Sequence, residues 1–304
     1  MLQEDRIGPL FPAGGPVPRH LIIGREEPLE ELTRRIEEGM HTMLTGPRRI
    51  GKTTVCDAVC GGLAERGSTV IKVEAPEGVE VEAFLQTIVD RCRGQDSAFA
   101  RGRGILKAAE PLVEKLLKDH GLPLDLSQLG AGSPPPDTGR KVLSLPLEMA
   151  RQGNSPVVFY LDELQRVVDY EGGDRLLIDF ADLYSGQADV VLLVDGSSER
   201  ALEQMMVAPV GFGKLVDRLP LAERIPARVW RESLPARFQR ARLTIDPDSL
   251  EALIDFGDGR PYATMTAARY AALNARKLDS DTVGPFEARE GIEEARRHLA
   301  EDDV

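Results

Sequence analysis

Thr45-Gly46-Pro47-Arg48-Arg49-Ile50-Gly51-Lys52-Thr53-Thr54 is the stretch that decides the fold. Residues 46–53 read GPRRIGKT, a full match to the phosphate-binding pattern G-x-x-x-x-G-K-[ST]. Gly46 and Gly51 permit backbone conformations that a Cβ obstructs, so successive N–H groups can converge on a phosphate. Pro47, Arg48, Arg49 and Ile50 fill the loop, and Thr54 follows it. Lys52 offers a point charge to the outer phosphates, and the Thr53 hydroxyl suits Mg2+. Upstream, Met40 to Leu44 reads as a short buried strand. Downstream, Thr53 to Arg66 reads as a helix ending at Gly67, whose dipole adds to the pull on an anion. Strand, loop and helix in this order are the context the pattern requires. A nucleoside triphosphate is the expected ligand.

Further strand-like runs follow at Thr69 to Glu74, Val157 to Leu161, Val190 to Val194 and, more weakly, Leu215 to Leu221. Helical segments separate them, which predicts a parallel sheet with helices on both faces. VVFYL and VVLLV are continuous apolar runs of the kind found in central strands buried on both sides. Glu27 to Glu38 has helical spacing, with Leu29, Leu32 and Ile36 on one face. Residues 1–20, with Pro9, Pro12, Pro16 and Pro18, read as an extended arm. Between Cys92 and Pro156 the pattern loosens. Leu112 to Leu117 reads as helix, whereas the Gly/Pro/Ser-rich stretch GLPLDLSQLGAGSPPPDTGR reads as loop. From Asp246 the chain shows three helical segments (Asp248 to Phe256, Pro261 to Leu273, Pro285 to Ala300) and no strand pattern, with Asp246-Pro247 and Gly284-Pro285 as helix entries.

Among 304 residues, 38 Lys and Arg against 50 Asp and Glu leave a formal net charge of −12. That balance disfavours a protein whose main task is coating nucleic acid. No run approaches the length that spans a bilayer, and the acidic N-terminus lacks a secretory core, so a reducing cytoplasm is the expected compartment. Three cysteines, with Cys56 and Cys60 on the helix after the loop, read as small buried thiols rather than metal or redox groups.

Asp162-Glu163 ends the Val157 run. An acidic pair delivered by a hydrophobic strand can divide two tasks: Asp162 holds Mg2+, and Glu163 orients and deprotonates an attacking water. The alternative is a pair that caps a strand end. Asp195-Gly196-Ser197-Ser198 ends the Val190 run, where Ser197, or next Asp195, could sense the γ-phosphate. Ser197 or Ser198 could equally cap a helix from Glu199 to Met206. In Gly257-Asp258-Gly259-Arg260-Pro261, Arg260 opens a helix and could reach the nucleotide, or could simply face solvent.

Together these residues resemble the AAA+ ATPases, in the branch of archaeal-type ATPases and Orc/Cdc6 replication initiators, from about Val17 to Arg297. Val17-Pro18-Arg19-His20-Leu21-Ile22-Ile23-Gly24-Arg25-Glu26 is similar to that family's Gly-Arg-Glu box. The resemblance implies that Ile22 and Ile23 touch the base, that Gly46, Gly51, Lys52 and Thr53 form Walker A and that Asp162 and Glu163 form Walker B. It further implies Ser197 as sensor 1 and Arg260, within GDGRPYA, as sensor 2. DELQ at 162–165 also resembles the DE-x-Q of archaeal-type members. The implied architecture is α/β: an arm over 1–20, a P-loop NTPase core over 21–225 and a small all-helical lid over 226–304. Phe212-Gly213-Lys214 stands where archaeal-type members tend to have Phe-Gly-Arg, and Arg218 is close enough to substitute as the residue offered to a neighbouring subunit. Initiators also carry a winged-helix domain after the lid, which is not expected in a chain stopping at Val304.

Basic clusters at 218–242 (Arg218, Arg224, Arg228, Arg231, Arg237, Arg240, Arg242) and 91–107 could contact phosphates, a neighbouring subunit or solvent. The expected activity is Mg2+-dependent ATP hydrolysis that drives a conformational or assembly switch. Expected partners are a partner protein, a second copy of the chain and, less favoured by charge, DNA; no membrane is expected. The rival reading is a signalling or defence scaffold that turns over little ATP. A phosphotransferase is disfavoured by the lid and sensor pattern.

Overall fold

The structure, a computed structural model, describes residues 7–15, 17–78, 80–94, 102–129, 137–153, 156–196, 199–207 and 212–302. The chain folds as two compact units. One comprises Met1–Glu27, Pro47–Val55 and Leu221–Val304; the other comprises Pro28–Gly46 and Cys56–Pro220.

In chain order the elements are α1 (Ile7–Leu10), α2 (Glu26–Glu37), β1 (Thr42–Thr45), α3 (Lys52–Glu65), β2 (Thr69–Glu74), α4 (Val81–Cys92), α5 (Gly102–Asp119), α6 (Thr138–Gly153), β3 (Val157–Asp162), α7 (Gly173–Tyr184), β4 (Val190–Asp195), α8 (Glu199–Val207), α9 (Phe212–Leu215) and β5 (Asp217–Pro220). There follow α10 (Ala227–Arg240), β6 (Thr244–Ile245), α11 (Pro247–Gly257), α12 (Pro261–Lys277), β7 (Thr282–Val283) and α13 (Pro285–Asp302).

Strands β1 to β5 make one parallel sheet in the order β2-β3-β4-β1-β5. The expected α/β sheet is therefore present. Every residue of β3 and β4 is buried, as their unbroken apolar runs require. Ile71, Val73, Phe159 and Leu161 pack with Phe84, Phe180 and Tyr184 into the core of this unit. A buried side chain of this size contributes about 1.5–3 kcal/mol relative to exposure.

His41 closes the sheet beside β1. Leu192 N–H donates to its Nδ1 (3.1 Å), and its Nε2 lies 3.0 Å from the Tyr184 carbonyl. That pair of contacts demands a neutral ring with the proton on Nε2, and burial lowers its pKa from 6.5.

The segment expected to be loop before Pro156 holds more order. Leu126–Leu129 form a 3-10 turn, and α6 begins at Thr138. Pro146 breaks the hydrogen-bond ladder inside α6, yet Val142, Leu143, Leu145, Leu147 and Met149 are all buried. The Tyr184 hydroxyl donates to the Leu143 carbonyl at 2.8 Å, which ties α6 to α7.

In the other unit, α10 to α13 surround Trp230, Leu234, Phe238 and an alanine-rich face of α12. Asp246 caps α11 by accepting from Ser249 N–H (3.0 Å) with Pro247 in the first turn, as expected. The tail is not strand-free, because β6 and β7 make a two-residue parallel ladder. Within the segment expected to be extended, Ile7–Leu10 make a helical turn. Ile7, Leu10 and Phe11 are buried, and the Phe11 ring centroid lies 4.7 Å from that of Phe238, with the two rings tilted at 46°. Arg237, 5% exposed, fixes this segment by donating to the carbonyls of Leu10 and Leu21.

Candidate functional site

The phosphate loop leaves the C-terminal end of β1 and enters α3 at Lys52. Gly46 (φ 144), Arg49 (φ 67) and Gly51 (φ 93) all take left-handed conformations, so the loop curls repeatedly and two of its three such turns use glycine. Arg49 is the exception, and a non-glycine residue there carries strain. Its guanidinium lies 5.3 Å from the Tyr262 ring centroid, a cation–π contact, and Tyr262 Oη lies 3.1 Å from His298 Nε2. Lys52 is buried, and its ammonium donates to the Pro47 carbonyl across the loop (2.7 Å). Pro47 and Arg48 are exposed, while Thr53 and Thr54 are half-buried in the first turn of α3.

Arg25 braces the loop from outside it. The side chain is 4% exposed and donates from Nη2 to the Ile50 carbonyl at 3.0 Å. Burial lowers its pKa to about 10, which still leaves it a cation at neutral pH. Ile22 and Ile23 just before it are half-buried, and Ile23 packs on the core of Trp230 and Phe238. Arg260 sits at the entry of α12 with its side chain 57% exposed, 3.5 Å from Glu223.

The acidic residues gather along one edge of the sheet. Register pairs Leu44 with Asp195, Asp195 with Asp162, and Asp162 with Glu74, so β1, β4, β3 and β2 end side by side. Asp162 and Asp195 are both buried. Desolvation raises the Asp162 pKa, and the Lys72 ammonium, 3.5 Å from Oδ2, opposes that rise.

Glu163 follows in the left-handed conformation (φ 55, ψ 32), which turns the chain sharply out of β3. Gln165 Nε2 donates to Glu163 Oε2, while Gln165 Oε1 is buried without a hydrogen-bond partner. A Cβ on Gly196 would fall 2.1 Å from that Oε1, so a larger residue at the end of β4 would push this amide aside. Arg166 then ties the segment to the exit of β2, donating to the Ala75 carbonyl (2.6 Å) and pairing with Glu77 (3.0 Å).

Asp162 and Thr53 both offer hard oxygen donors. Each, taken by itself, is an oxygen of the hard kind that Mg2+ takes. Among the described residues no group of three His, Cys, Asp or Glu forms a metal cage.

Ser197 lies outside the described residues. Arg218 is exposed on the edge strand β5, in register with Met43, and Lys214 is exposed on α9. Much of the basic surplus is committed within the chain. Arg224 pairs with Asp258 (2.8 Å), Arg231 with Glu251 (2.7 Å), Arg237 with backbone carbonyls and Arg93 with Glu110 (3.0 Å). Arg101 and the side chains of Arg103 and Lys107 lie outside the described residues. The three cysteines are free and buried, and desolvation pushes each thiol pKa up. No described helix is long and apolar enough to cross a membrane.

The sequence reading missed Arg25, Lys72, Asp57 and Tyr262. Arg25 stood inside the quoted Gly-Arg-Glu box, which was a usable signal. Lys72 and Asp57 stand 15 residues apart with no motif to join them.

No curated protein matches the chain in sequence. Among solved structures it is similar to the Walker-type ATPase paby2304 of Pyrococcus abyssi, with a TM-score of 0.62 at 18% identity over 97% of this chain and 78% of that one. It is also similar to the ORC2 protein of Aeropyrum pernix, with a TM-score of 0.60 at 19% identity over 94% of this chain and 71% of that one. The ORC1 protein of Aeropyrum pernix, determined in complex with DNA, gives a TM-score of 0.59 at 16% identity over 97% and 69% of the two chains. At such identities the likeness speaks for the fold. The AAA domain family model matches residues 34–203, more than half of the sequence, from within α2 to within α8, and on that match the chain belongs to the AAA domain family.

Proposed function

We propose that the chain is a Mg2+-dependent ATPase whose turnover drives a conformational or assembly switch on a partner protein or on DNA. The observation that carries this reading is the acidic pair at the end of β3. Asp162 is buried and paired with Lys72, while Glu163 is turned out in a left-handed conformation with its carboxylate held by Gln165. Strain of about 1–3 kcal/mol at such a residue persists where the surroundings enforce it, and it clusters at active sites.

In this reading the oxygen of a water attacks the γ-phosphorus and Glu163 takes the water's proton. The bond from the γ-phosphorus to its bridging oxygen breaks, and ADP leaves with inorganic phosphate. Lys52 and the N–H groups of Gly46 and residues 48–54 would neutralise and orient the phosphates. Thr53 and Asp162 would hold Mg2+, which when bound offsets charge on the phosphate oxygens. Ile22 and Ile23 would touch the base, Arg260 would report lid position and Ser197 would sense the γ-phosphate. Arg218, exposed on β5, would be offered to a neighbouring copy.

A partner protein or a second copy is favoured over DNA. The net charge is −12, and several arginines of the basic segment are paired internally. Phosphate release by the purified chain, with and without Mg2+, tests the reading. Wild type is expected to turn over only with the metal, and Lys52→Ala is expected to lose nucleotide binding.

A further inference from the structure

Lys72 is an unusual occupant of its strand. It lies on the face of β2 away from Ile71 and Val73, in register with Tyr160 of β3. Its side chain is 18% exposed, and the ammonium sits 4.9 Å from the Tyr160 ring centroid. The same ammonium donates to Asp57 Oδ1 of α3 at 2.7 Å and approaches Asp162 Oδ2 at 3.5 Å. Asp57 is 19% and Asp162 8% exposed at the side chain, so all three groups are largely withdrawn from water.

A buried ion pair is weak evidence of stabilisation, because well-packed apolar residues of similar volume serve as well or better. An energetic account of the fold therefore leaves this lysine unexplained. Its geometry has another consequence. Asp57 lies one helical turn beyond Thr53 on α3, on the same face. Lys72 thus fastens α3, at Asp57, to the strand that ends with Asp162.

We propose that Lys72 is a positioning residue for metal binding, holding the Asp162 carboxylate in place from the Asp57 anchor on α3. The proposal rests on the ATPase reading above, in which Asp162 holds Mg2+. The two distances matter. With its shorter bond to Asp57, the ammonium leans on Asp162 without taking over the carboxylate, and the other lone pairs of Asp162 stay open to a metal. The charges of Lys72 and Asp57 nearly cancel, so their pair exerts little net repulsion on a dication. Orientation is what it supplies. Partners of this kind, which hold a metal ligand without touching the metal, typically carry 10- to 100-fold in metal affinity.

The test is a Mg2+ titration of the binding of a nonhydrolysable, fluorescent ATP analogue, followed by anisotropy. The decisive variant is the double substitution Asp57→Asn with Lys72→Met, which removes a positive and a negative charge together. It is expected to raise the half-saturating Mg2+ concentration roughly tenfold. Affinity for the analogue without Mg2+ should stay within about twofold of wild type, since the phosphate loop is untouched. Lys72→Arg, which keeps the charge and a forked donor, should recover most of the loss. If the double variant does not fold, Asp57→Asn alone decides, because it frees Lys72 to close over Asp162 and should shift the titration the same way. An unshifted titration, or an equal loss with and without Mg2+, overturns the proposal. Asp162→Asn separates it from the reading it rests on. If wild type and Asp162→Asn bind the analogue alike at every Mg2+ concentration, the metal role of Asp162 fails and the positioning role with it. If Asp162→Asn abolishes the Mg2+ response while the double variant keeps it, only the positioning role fails.

Discussion

Arg25 reaches 25 residues along the chain to donate to the carbonyl of Ile50, within the phosphate loop, from a position that is 4% exposed. A buried guanidinium on a backbone carbonyl is a charge-assisted bond, worth about 1.5–3 kcal/mol where it cannot be replaced by water. Here it holds the loop between Arg49 and Gly51, the two residues whose left-handed φ angles shape the end of the cradle. The Gly-Arg-Glu box is thus joined to the loop physically as well as by motif.

Arg25→Ala is therefore expected to weaken ATP binding by roughly 10-fold or more, in line with loss of such a bond. Arg25→Lys, which lacks the fork but keeps one donor, should fall between. Isothermal titration with ATP measures both. Wild-type affinity in Arg25→Ala would show that the loop holds its shape without the brace.

Gln165→Ala removes the amide that holds Glu163 while leaving the carboxylate itself in place. The expected result is a kcat lower by about 10- to 100-fold, the cost of a misplaced catalytic group, with KM within about twofold. Steady-state phosphate release separates the two constants. A raised KM with unchanged kcat would place Gln165 in nucleotide binding instead.

Much of this fold was legible because its signals are local. β2 falls on Thr69–Glu74 as read, and β3 and β4 differ from the reading only by their terminal aspartates. Apolar runs bounded by turn residues are sufficient to mark buried strands. α6 was not legible, because Pro146 and the Pro/Gly/Ser-rich run before it mimic a loop. What keeps it helical is burial of Val142, Leu143 and Leu145 together with the Tyr184 hydroxyl 41 residues away, and none of that is local. The candidate site divides the same way. Phosphate loop and acidic pair are motifs, whereas Lys72 meets Asp57 and Asp162 only once β2, β3 and α3 are assembled.

His41 gives the sheet a pH dependence. Its ring must stay neutral, and its folded pKa lies below 6.5, so as pH falls through 6.5 the unfolded chain takes up a proton that the folded chain refuses. Stability from this residue is full above 6.5 and is lost as pH drops toward the folded pKa, with a slope of up to about 1.4 kcal/mol per pH unit. Urea unfolding between pH 7.5 and 5.5, run on wild type and His41→Gln, measures it, in steps of about half a unit. The variant should be less stable at pH 7.5 and show a shallower loss. Identical slopes would contradict the neutral ring.

Arg218 is exposed on the edge strand, open to a second copy of the chain. If it is offered to a neighbour's nucleotide, specific ATPase activity should rise with protein concentration in wild type. Arg218→Ala should lower turnover roughly 10-fold or more, as removal of one charged transition-state contact does, with ATP affinity nearly intact. Sedimentation alongside turnover reads both. A monomer with concentration-independent activity would remove Arg218 from the chemistry.

In the proposed reaction Glu163 activates water on a bound ATP. This role is tested most directly by comparing ATP binding and phosphate release in Glu163→Gln and wild type under the same Mg2+ concentration. Glu163→Gln is expected to bind ATP about as tightly as wild type while its release of phosphate falls by roughly 100-fold or more. Phosphate release at the wild-type rate in Glu163→Gln would contradict it.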